Sequence, residues 1–303
     1  MNAKAVVVPI LPAIQLKRLL YATDFSAASR MALPVVAAIA RKHHAKVFVA
    51  HIWLPIPYPM ATPEAITVLD TRQEREIRKL AGNFLQSSEL AGLETEIVAK
   101  SGDPKDELEH IVRKHNIDLA ILSTHGRTGF KHLLMGSVAE QLFRNLSCPV
   151  LTVGPRISRR FTENMQIREI LFPTDLSPES QAVFPFLASI ADEYDARITV
   201  LHVLPEETKN NPDLRRLAEP LKAHLEHLFS HKVGPLCKVD FVIDCGDAAQ
   251  KILSYAHYLN AELIAFGVRH TADIMTHLQK TVGYRVVMQA ECPVLTYRGK
   301  SGW

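Results

Sequence analysis

The stretch Ile121-Leu122-Ser123-Thr124-His125-Gly126-Arg127-Thr128-Gly129, with its continuation to Gly136-Ser137-Val138-Ala139-Glu140, decides the fold. It opens as a short apolar run, which suits a strand buried on both faces of a parallel sheet. A polar, glycine-containing loop follows. Gly136-Ser137 then opens a helix whose apolar face is Val138, Ala139, Leu142 and Phe143. A strand, a glycine loop and a helix N-terminus in that order make an anion site, because unpaired N–H groups and the positive end of the helix dipole face the ligand. Gly126 and Gly136 let the backbone approach phosphate without an intervening side chain. Ser137 and Thr128 offer hydroxyl donors, and Arg127 and Lys131 offer positive charge. The local alternative is a β–α connection whose glycines serve only the turn.

Outward from this stretch, strands alternate with helices. Arg18-Leu19-Leu20-Tyr21-Ala22 reads as the first strand, followed by Thr23-Asp24-Phe25-Ser26. A helix from about Ser26 turns Met31, Val35, Ala38 and Ile39 inward. Lys46 to Ile52 is the second strand. A proline-rich loop then leads to a long helix with Ile66, Leu69, Ile77, Leu80 and Phe84 as its partly periodic face. Thr95 to Ala99 and Leu119 to Leu122 are the third and fourth strands, and Cys148 to Val153 is the fifth. Such alternation implies a parallel α/β sheet with right-handed crossovers. Ligands in such sheets lie beyond the carboxyl ends of the strands, where strand order reverses. An order of 3-2-1-4-5 puts Asp24 and the loop from Ser123 to Ser137 at that point.

The pattern then starts again. Gly154-Pro155 ends the first half, and residues 156–166 are polar and read as a linker. Glu169-Ile170-Leu171-Phe172-Pro173-Thr174-Asp175-Leu176-Ser177 matches Arg18 to Ser26 without a gap. Arg197 to Val203 matches Lys46 to Ile52, Cys245-Gly246-Asp247 matches Ser101-Gly102-Asp103, and Cys292-Pro293-Val294-Leu295-Thr296 matches Cys148 to Thr152. A repeat at this period is a duplicated domain and not a solenoid. The expected division is 1–155, a linker over 156–166, and 167–303.

Composition is consistent with this. The chain has 303 residues, enough for two domains of about 150, each able to bury a core. A net charge of +3 with mixed signs gives no electrostatic case for nucleic acid or membrane as the main partner. No apolar run approaches the ~20 residues of a membrane span. The cysteines, Cys148, Cys237, Cys245 and Cys292, show no metal-ligand spacing and read as reduced thiols, so the cytoplasm is expected. Met1 to Ile14, interrupted by Pro9 and Pro12, reads as a tail and not a signal peptide.

On these motifs, seen twice over nearly the whole chain, the sequence resembles a tandem universal stress protein. ATP-binding members of that family carry Gly-x2-Gly-x9-Gly-(Ser/Thr) at the fourth strand. Here the spacing is intact as Ser123-x2-Gly126-x9-Gly136-Ser137, with serine in place of the first glycine. The resemblance implies two flavodoxin-like or Rossmann-like α/β domains, each with a five-stranded parallel sheet. It implies an ATP-binding stress-response protein, with ATP and Mg²⁺ as the ligand. By resemblance, the aspartate after the first strand meets the adenine–ribose part, which falls on Asp24 with Ala22 beside it, and backbone of the second strand falls on Val47. Ser123, Gly126, Arg127, Gly136, Ser137 and Val138 complete the expected site. Domains of this family pair through the fifth strand. Val150 to Val153 and Val294 to Tyr297 are thus expected to form a pseudo-dimer within one chain, and a homodimer of whole chains stays open.

The second half departs from the motif. Aligned on Cys-Pro-Val-Leu, Ser123 becomes Gly267, Gly126 becomes His270, Gly136 becomes Lys280 and Ser137 becomes Thr281. Side chains at two of the three small positions oppose close phosphate binding. The expectation is one nucleotide-binding half and one degenerate half. Asp175 keeps the aspartate despite the altered loop, which keeps open a plain capping role for it and for Asp24.

Other features carry no site. Gly299-Lys300-Ser301 lacks the earlier glycine of a phosphate loop. His125 and His132 have no carboxylate at ligand spacing. His51 and His202 read as packed or hydrogen-bonded structural residues, and Asp103 and Asp247 as helix caps. No nucleophile with an adjacent base is legible, so no catalytic residue is nominated. The expectation is therefore a regulatory, non-enzymatic protein with an unidentified protein partner. Weak Mg-dependent ATP hydrolysis and a scaffold that binds no nucleotide are the alternatives.

Overall fold

The computed structural model describes residues 14–55, 62–86, 89–124, 146–158, 161, 166–230, 233, 237–268 and 281–298. The chain divides into two compact units, Gln15–Met165 and one built mainly from Gln166–Trp303.

In the first unit β1 (Arg18–Ala22), β2 (Lys46–Trp53), β3 (Thr95–Ser101), β4 (Leu119–Ser123) and β5 (Val150–Val153) pair in the order β3-β2-β1-β4-β5. Every neighbouring pair is parallel. Helices α1 (Ala27–Arg30) and α2 (Leu33–His43) join β1 to β2. Helix α3 (Pro63–Gln86) joins β2 to β3, and α4 (Pro104–His115) joins β3 to β4.

The second unit repeats the plan. Its strands are β6 (Glu169–Pro173), β7 (Arg197–Leu204), β8 (Val239–Cys245), β9 (Leu263–Gly267) and β10 (Val294–Tyr297). They run β8-β7-β6-β9-β10, all parallel. The helices are α5 (Pro178–Tyr194), α6 (Leu214–Phe229), α7 (Ala248–Tyr258) and α8 (Val282–Gln289). The expected 3-2-1-4-5 order therefore appears in both halves.

Both sheets follow from apolar strands with both faces covered: Leu19, Leu20, Tyr21, Ile121, Leu171, Phe172 and Ile264 are all fully buried. A carboxylate fixes the entry of each first strand. Asp118 Oδ2 accepts the N–H groups of Lys17 and Arg18 at 2.9 and 2.8 Å. In the repeat, Glu262 Oε2 accepts those of Arg168 and Glu169 at 3.0 and 2.8 Å. The strand-to-helix turns at Gly102 and Gly246 have φ of 151° and 142°, a region that favours glycine. Asp103 and Asp247 then cap α4 and α7, as expected.

Four sequence expectations need correction. The helix after β1 is not continuous: it breaks after Arg30 and restarts at Leu33, and Met31 and Ala38 are only half-buried. On α3, Leu69 and Leu80 are exposed, and the buried contacts come from Ala81 and Phe84 near the helix end. Ile66 lies outside the described side chains. β5 and β10 start two residues later than read, at Val150 and Val294. The linker is not wholly polar, because Phe161 is 2% exposed.

The halves also differ in length. β7 starts 151 residues after β2, but β8 starts only 144 after β3, so the second half is seven residues shorter between these strands. The difference falls on α3, with 24 residues, against α6, with 16. Among the described residues no helix is long and apolar enough to cross a membrane.

Candidate functional site

The sheet of the first unit reverses its order between β1 and β4, where Ala22 pairs with Leu122. The chain segments that begin at Thr23 and at Ser123 therefore leave the sheet side by side. Both continue its hydrogen bonding for one residue: Thr23 N–H donates to the Ala50 carbonyl at 3.0 Å, and Thr124 N–H to the Val153 carbonyl at 3.2 Å. This is the crevice that a doubly wound sheet offers to ligands.

The turn after β1 is held by its own polar side chains. Phe25 N–H donates to Thr23 Oγ1 at 2.9 Å and Ser26 N–H to Asp24 Oδ1 at 3.0 Å. Ser26 Oγ accepts the Ser29 N–H at 3.1 Å and so caps α1. Asp24 thus closes a short side-chain-to-backbone turn, and the capping residue is Ser26. Phe25 sits at φ 61°, a left-handed conformation that a bulky residue seldom adopts. The second unit repeats this: Ser177 N–H donates to Asp175 Oδ1 at 3.0 Å, Ser177 caps α5, and Leu176 has φ 63°.

Behind the turn stands His51. Its Nδ1 lies 2.8 Å from the Thr23 carbonyl. A carbonyl only accepts, so the proton sits on Nδ1. Phe25 stacks on the imidazole at 5.0 Å, and Trp53 stacks on it at 6.4 Å. Trp53 Nε1 in turn donates to Asp70 on α3 at 3.3 Å. His202 makes the same 2.8 Å bond to Thr174, so the structural reading of both histidines holds. Tyr21 donates its hydroxyl to the Ser29 carbonyl at 2.9 Å, and burial pushes its pKa up to about 12.

Of the residues nominated from sequence, Ala22, Asp24 and Ser123 come together at the crevice, each half-buried. Val47 does not. It pairs with Leu19 at the entering end of β2 and is fully buried. It lies three residues, or about 10 Å, before Ala50, which pairs with the last residue of β1. The residues of β2 at the correct end are His51, Ile52 and Trp53, which the sequence reading did not nominate; a rule that ligands sit at carboxyl ends would have found them. Gly126, Arg127, Gly136, Ser137 and Val138 lie outside the described residues, as do Thr128, Lys131, His125 and His132.

In the second unit, His270 and Lys280 lie outside the described residues, but Gly267 and Thr281 do not. Thr281 caps α8 by accepting from Tyr284 N–H at 3.4 Å. A β-carbon on Gly267 would stand 2.5 Å from the Glu179 carbonyl oxygen and 2.8 Å from Ser180 Cα, both in the first turn of α5. Arg285 on α8 grips Asp247 with both arms, at 2.7 and 3.0 Å, and holds that carboxyl below its usual range. Among the described residues no group of three or more His, Cys, Asp or Glu is arranged to hold a metal ion.

Two successive parallel α/β units, each with a Thr-Asp-x-Ser turn at its order reversal, define a duplicated doubly wound protein. The sequence model of the universal stress protein family matches residues 15–154 and 166–298, and the chain belongs to that family. Among proteins it is similar to, the universal stress protein MJ0531 of Methanocaldococcus jannaschii is 27% identical over 138 residues, covering 45% of this chain and 81% of that protein. A 148-residue stretch is 27% identical to the Na(+)/H(+) antiporter NhaS5 of Synechocystis sp.; it covers 48% of this chain but only 20% of that protein, whose activity is not carried over. The crystal structure of a universal stress protein from Archaeoglobus fulgidus superposes with a TM-score of 0.65 at 18% identity. It covers 96% of this chain and 99% of that one, a likeness of fold.

Proposed function

We propose that the first half, 1–155, binds an adenine nucleotide, ATP carrying its own Mg²⁺, and that the protein is a cytoplasmic regulator of a stress response and not an enzyme. The half 167–303, beyond the linker 156–166, holds no equivalent site. The observation that carries this reading is the register of β1 and β4. It brings the Asp24 turn beside Ser123, the first residue of the Ser123-x2-Gly126-x9-Gly136-Ser137 spacing. The crevice residues suit the nucleoside: Ala22 and Ser123 are small, and Asp24 presents a half-buried carboxylate that a ribose hydroxyl can donate to. Gly126, Arg127, Gly136, Ser137 and Val138 would receive the phosphates. Val47, by its position, is not part of the site. ATP occupancy would order the 127–135 loop and alter a surface read by a partner protein.

The test is isothermal titration of the full chain with Mg-ATP, beside Gly136→Arg and Asp24→Ala. One site per chain, lost in Gly136→Arg, supports the reading. Unchanged affinity in Gly136→Arg refutes it. Two sites per chain would place nucleotide in the second half as well. No binding at millimolar ATP would favour a scaffold that takes no nucleotide. One observation already leans that way: Asp24 and Asp175 make the same turn although only one half keeps the phosphate motif. We also read Val150–Val153 and Val294–Tyr297 as segments that pair the two halves into a pseudo-dimer. Light scattering at the mass of one chain fits that reading, and twice that mass would indicate a homodimer.

A further inference from the structure

Helix α3 is long and thinly covered. Among its described side chains only Ala81 and Phe84, near its end, are buried. Its sheet side is held by polar contacts: Asp70 accepts Trp53 Nε1 at 3.3 Å, and Arg78 donates to the Ile97 carbonyl at 3.1 Å. Phe84 meets Tyr21 on β1, as Phe229 of α6 meets Phe172 on β6. Counted back from those phenylalanines, α3 runs 21 residues to Pro63, and α6 only 15 to Leu214. Residues 63–68 thus have no counterpart in the repeat.

The face of α3 turned away from Asp70 carries Ala65, Leu69, Arg72, Glu76, Leu80 and Asn83, all exposed. Their spacings of three and four residues are those of a helix–helix seam. Leu69 and Leu80 are 38% and 47% exposed. They are separated by about three helical turns, so both stand on one edge of this face. Midway between them lie Arg72 and Glu76, whose side chains are 77% and 71% exposed and 3.5 Å apart. The order leucine, arginine, glutamate, leucine is complementary to itself when reversed. A second α3 laid antiparallel, with a two-fold axis beside residue 74, sets Leu69 against Leu80 of the second copy and Arg72 against its Glu76, and each contact occurs twice. Ala65 then meets Asn83 at either end. Counted back from Phe229, the places of Arg72 and Glu76 fall on Leu217 and Leu221 of α6, so this charge order belongs to α3.

We propose that the outward face of α3 is a homodimer surface, on which a second copy of this chain docks its own α3 antiparallel across a two-fold axis. Such a contact uses the same patch on both chains and closes at two. Four leucines leave water at its two ends. The crossed arginine–glutamate pairs fix its direction, since parallel copies in register would set Arg72 beside Arg72. A contact one helix wide and about 27 Å long is small beside the roughly 1,200–2,000 Å² of a stable interface. The dimer therefore forms reversibly, and dilute protein keeps the mass of one chain. The surface faces away from Asp70 and Trp53, so the inference stands apart from the nucleotide reading.

The experiment is sedimentation velocity on the full chain from about 1 to 300 µM, a range suited to a weak interface. It compares wild type, Arg72→Glu, Glu76→Arg, an equal mixture of those two, and Leu80→Asp. All three sites are exposed, so each variant is expected to fold. Wild type should pass from one to two chains per particle across the series. Either charge reversal alone sets like charges opposite each other at both crossings and should weaken the dimer about tenfold or more. Leu80→Asp should weaken it similarly. In the mixture every crossing joins opposite charges again, so pairing should return to within about threefold of wild type. Wild type that stays at one chain throughout overturns the proposal. A dimer that ignores both reversals overturns it too, and would place the pairing elsewhere on the chain. A mixture that associates no better than its components also overturns it, because the antiparallel register would be wrong. If a reversal unfolds the protein, Leu69→Asp and Leu80→Asp decide the question: a dimer as strong as wild type in both overturns the proposal.

Discussion

Replacing Tyr21 by Phe isolates one buried hydroxyl, because the repeat has already made the same exchange: Phe172 sits fully buried at the matching place in β6. Packing is therefore expected to survive. The hydroxyl donates to the Ser29 carbonyl at 2.9 Å, and a lost hydrogen bond that leaves a buried acceptor costs about 1–2 kcal/mol. Near pH 7, Tyr21→Phe should be less stable by that amount. The sign changes at alkaline pH. Tyr21 has its pKa raised from 10.0 to about 12, with burial as the first cause. A raised acid favours the folded state fully below the unfolded pKa and loses that advantage as pH climbs through the folded one. At 1.36 kcal/mol per pH unit, the shift is worth about 2.7 kcal/mol across that window. Wild type loses this between pH 10 and 12, and Tyr21→Phe does not. Other titrating groups act on both proteins alike and cancel in the difference. The two stabilities should therefore cross at about pH 11. Urea titrations of the two proteins at pH 7, 9.5 and 11 measure this. A constant difference across those three would refute the assigned burial of the phenol.

Two further perturbations test the turns at the strand ends. Arg285→Gln frees Asp247, whose carboxyl the guanidinium holds low; a group depressed in the folded state gives stability above its unfolded pKa and loses it as pH falls through the folded one. The pair is partly exposed, so the loss at pH 7 should stay under about 1 kcal/mol. The difference should vanish in acid melts near pH 2–3; a difference that persists there would mean the arginine acts by packing. Gly102→Ala should cost about 1–3 kcal/mol through its φ of 151°. The atoms nearest the new β-carbon belong to the movable Glu107 side chain, from 2.8 Å, so the φ and not the contact sets the cost, and a Glu107→Ala background should rescue little of the loss.

The duplication, the strand order and the Asp103 and Asp247 caps were legible in the sequence, because each rests on a local signal that recurs: a Thr-Asp-x-Ser sentence, apolar runs of strand length, a Gly-Asp pair; the capping role left open for Asp24 falls instead to Ser26. Val47 was misplaced for a different reason. A resemblance names a strand, but only pairing register says which end of it meets the ligand, and Ala22 opposite Ala50 fixes that end. The break after Arg30 was hidden as well. Its visible suspect, Pro34, has a twin in Pro185, through which α5 runs unbroken. Leu69 and Leu80 fit a helical period yet face solvent, since a period selects a face and not what covers it. Phe161 had no neighbours in sequence to announce its burial.

The unequal lengths of α3 and α6 show where this architecture tolerates growth. Eight additional helical residues extend α3 by about 12 Å, yet β3 and β8 resume the same register beside β2 and β7, and both Gly-Asp turns return unchanged. Material added between the second and third strands is absorbed outside the sheet. The exposed Leu80, ten residues along α3 from the Asp70 that holds Trp53, therefore marks a point where a fluorophore could be carried while the crevice stays as it is.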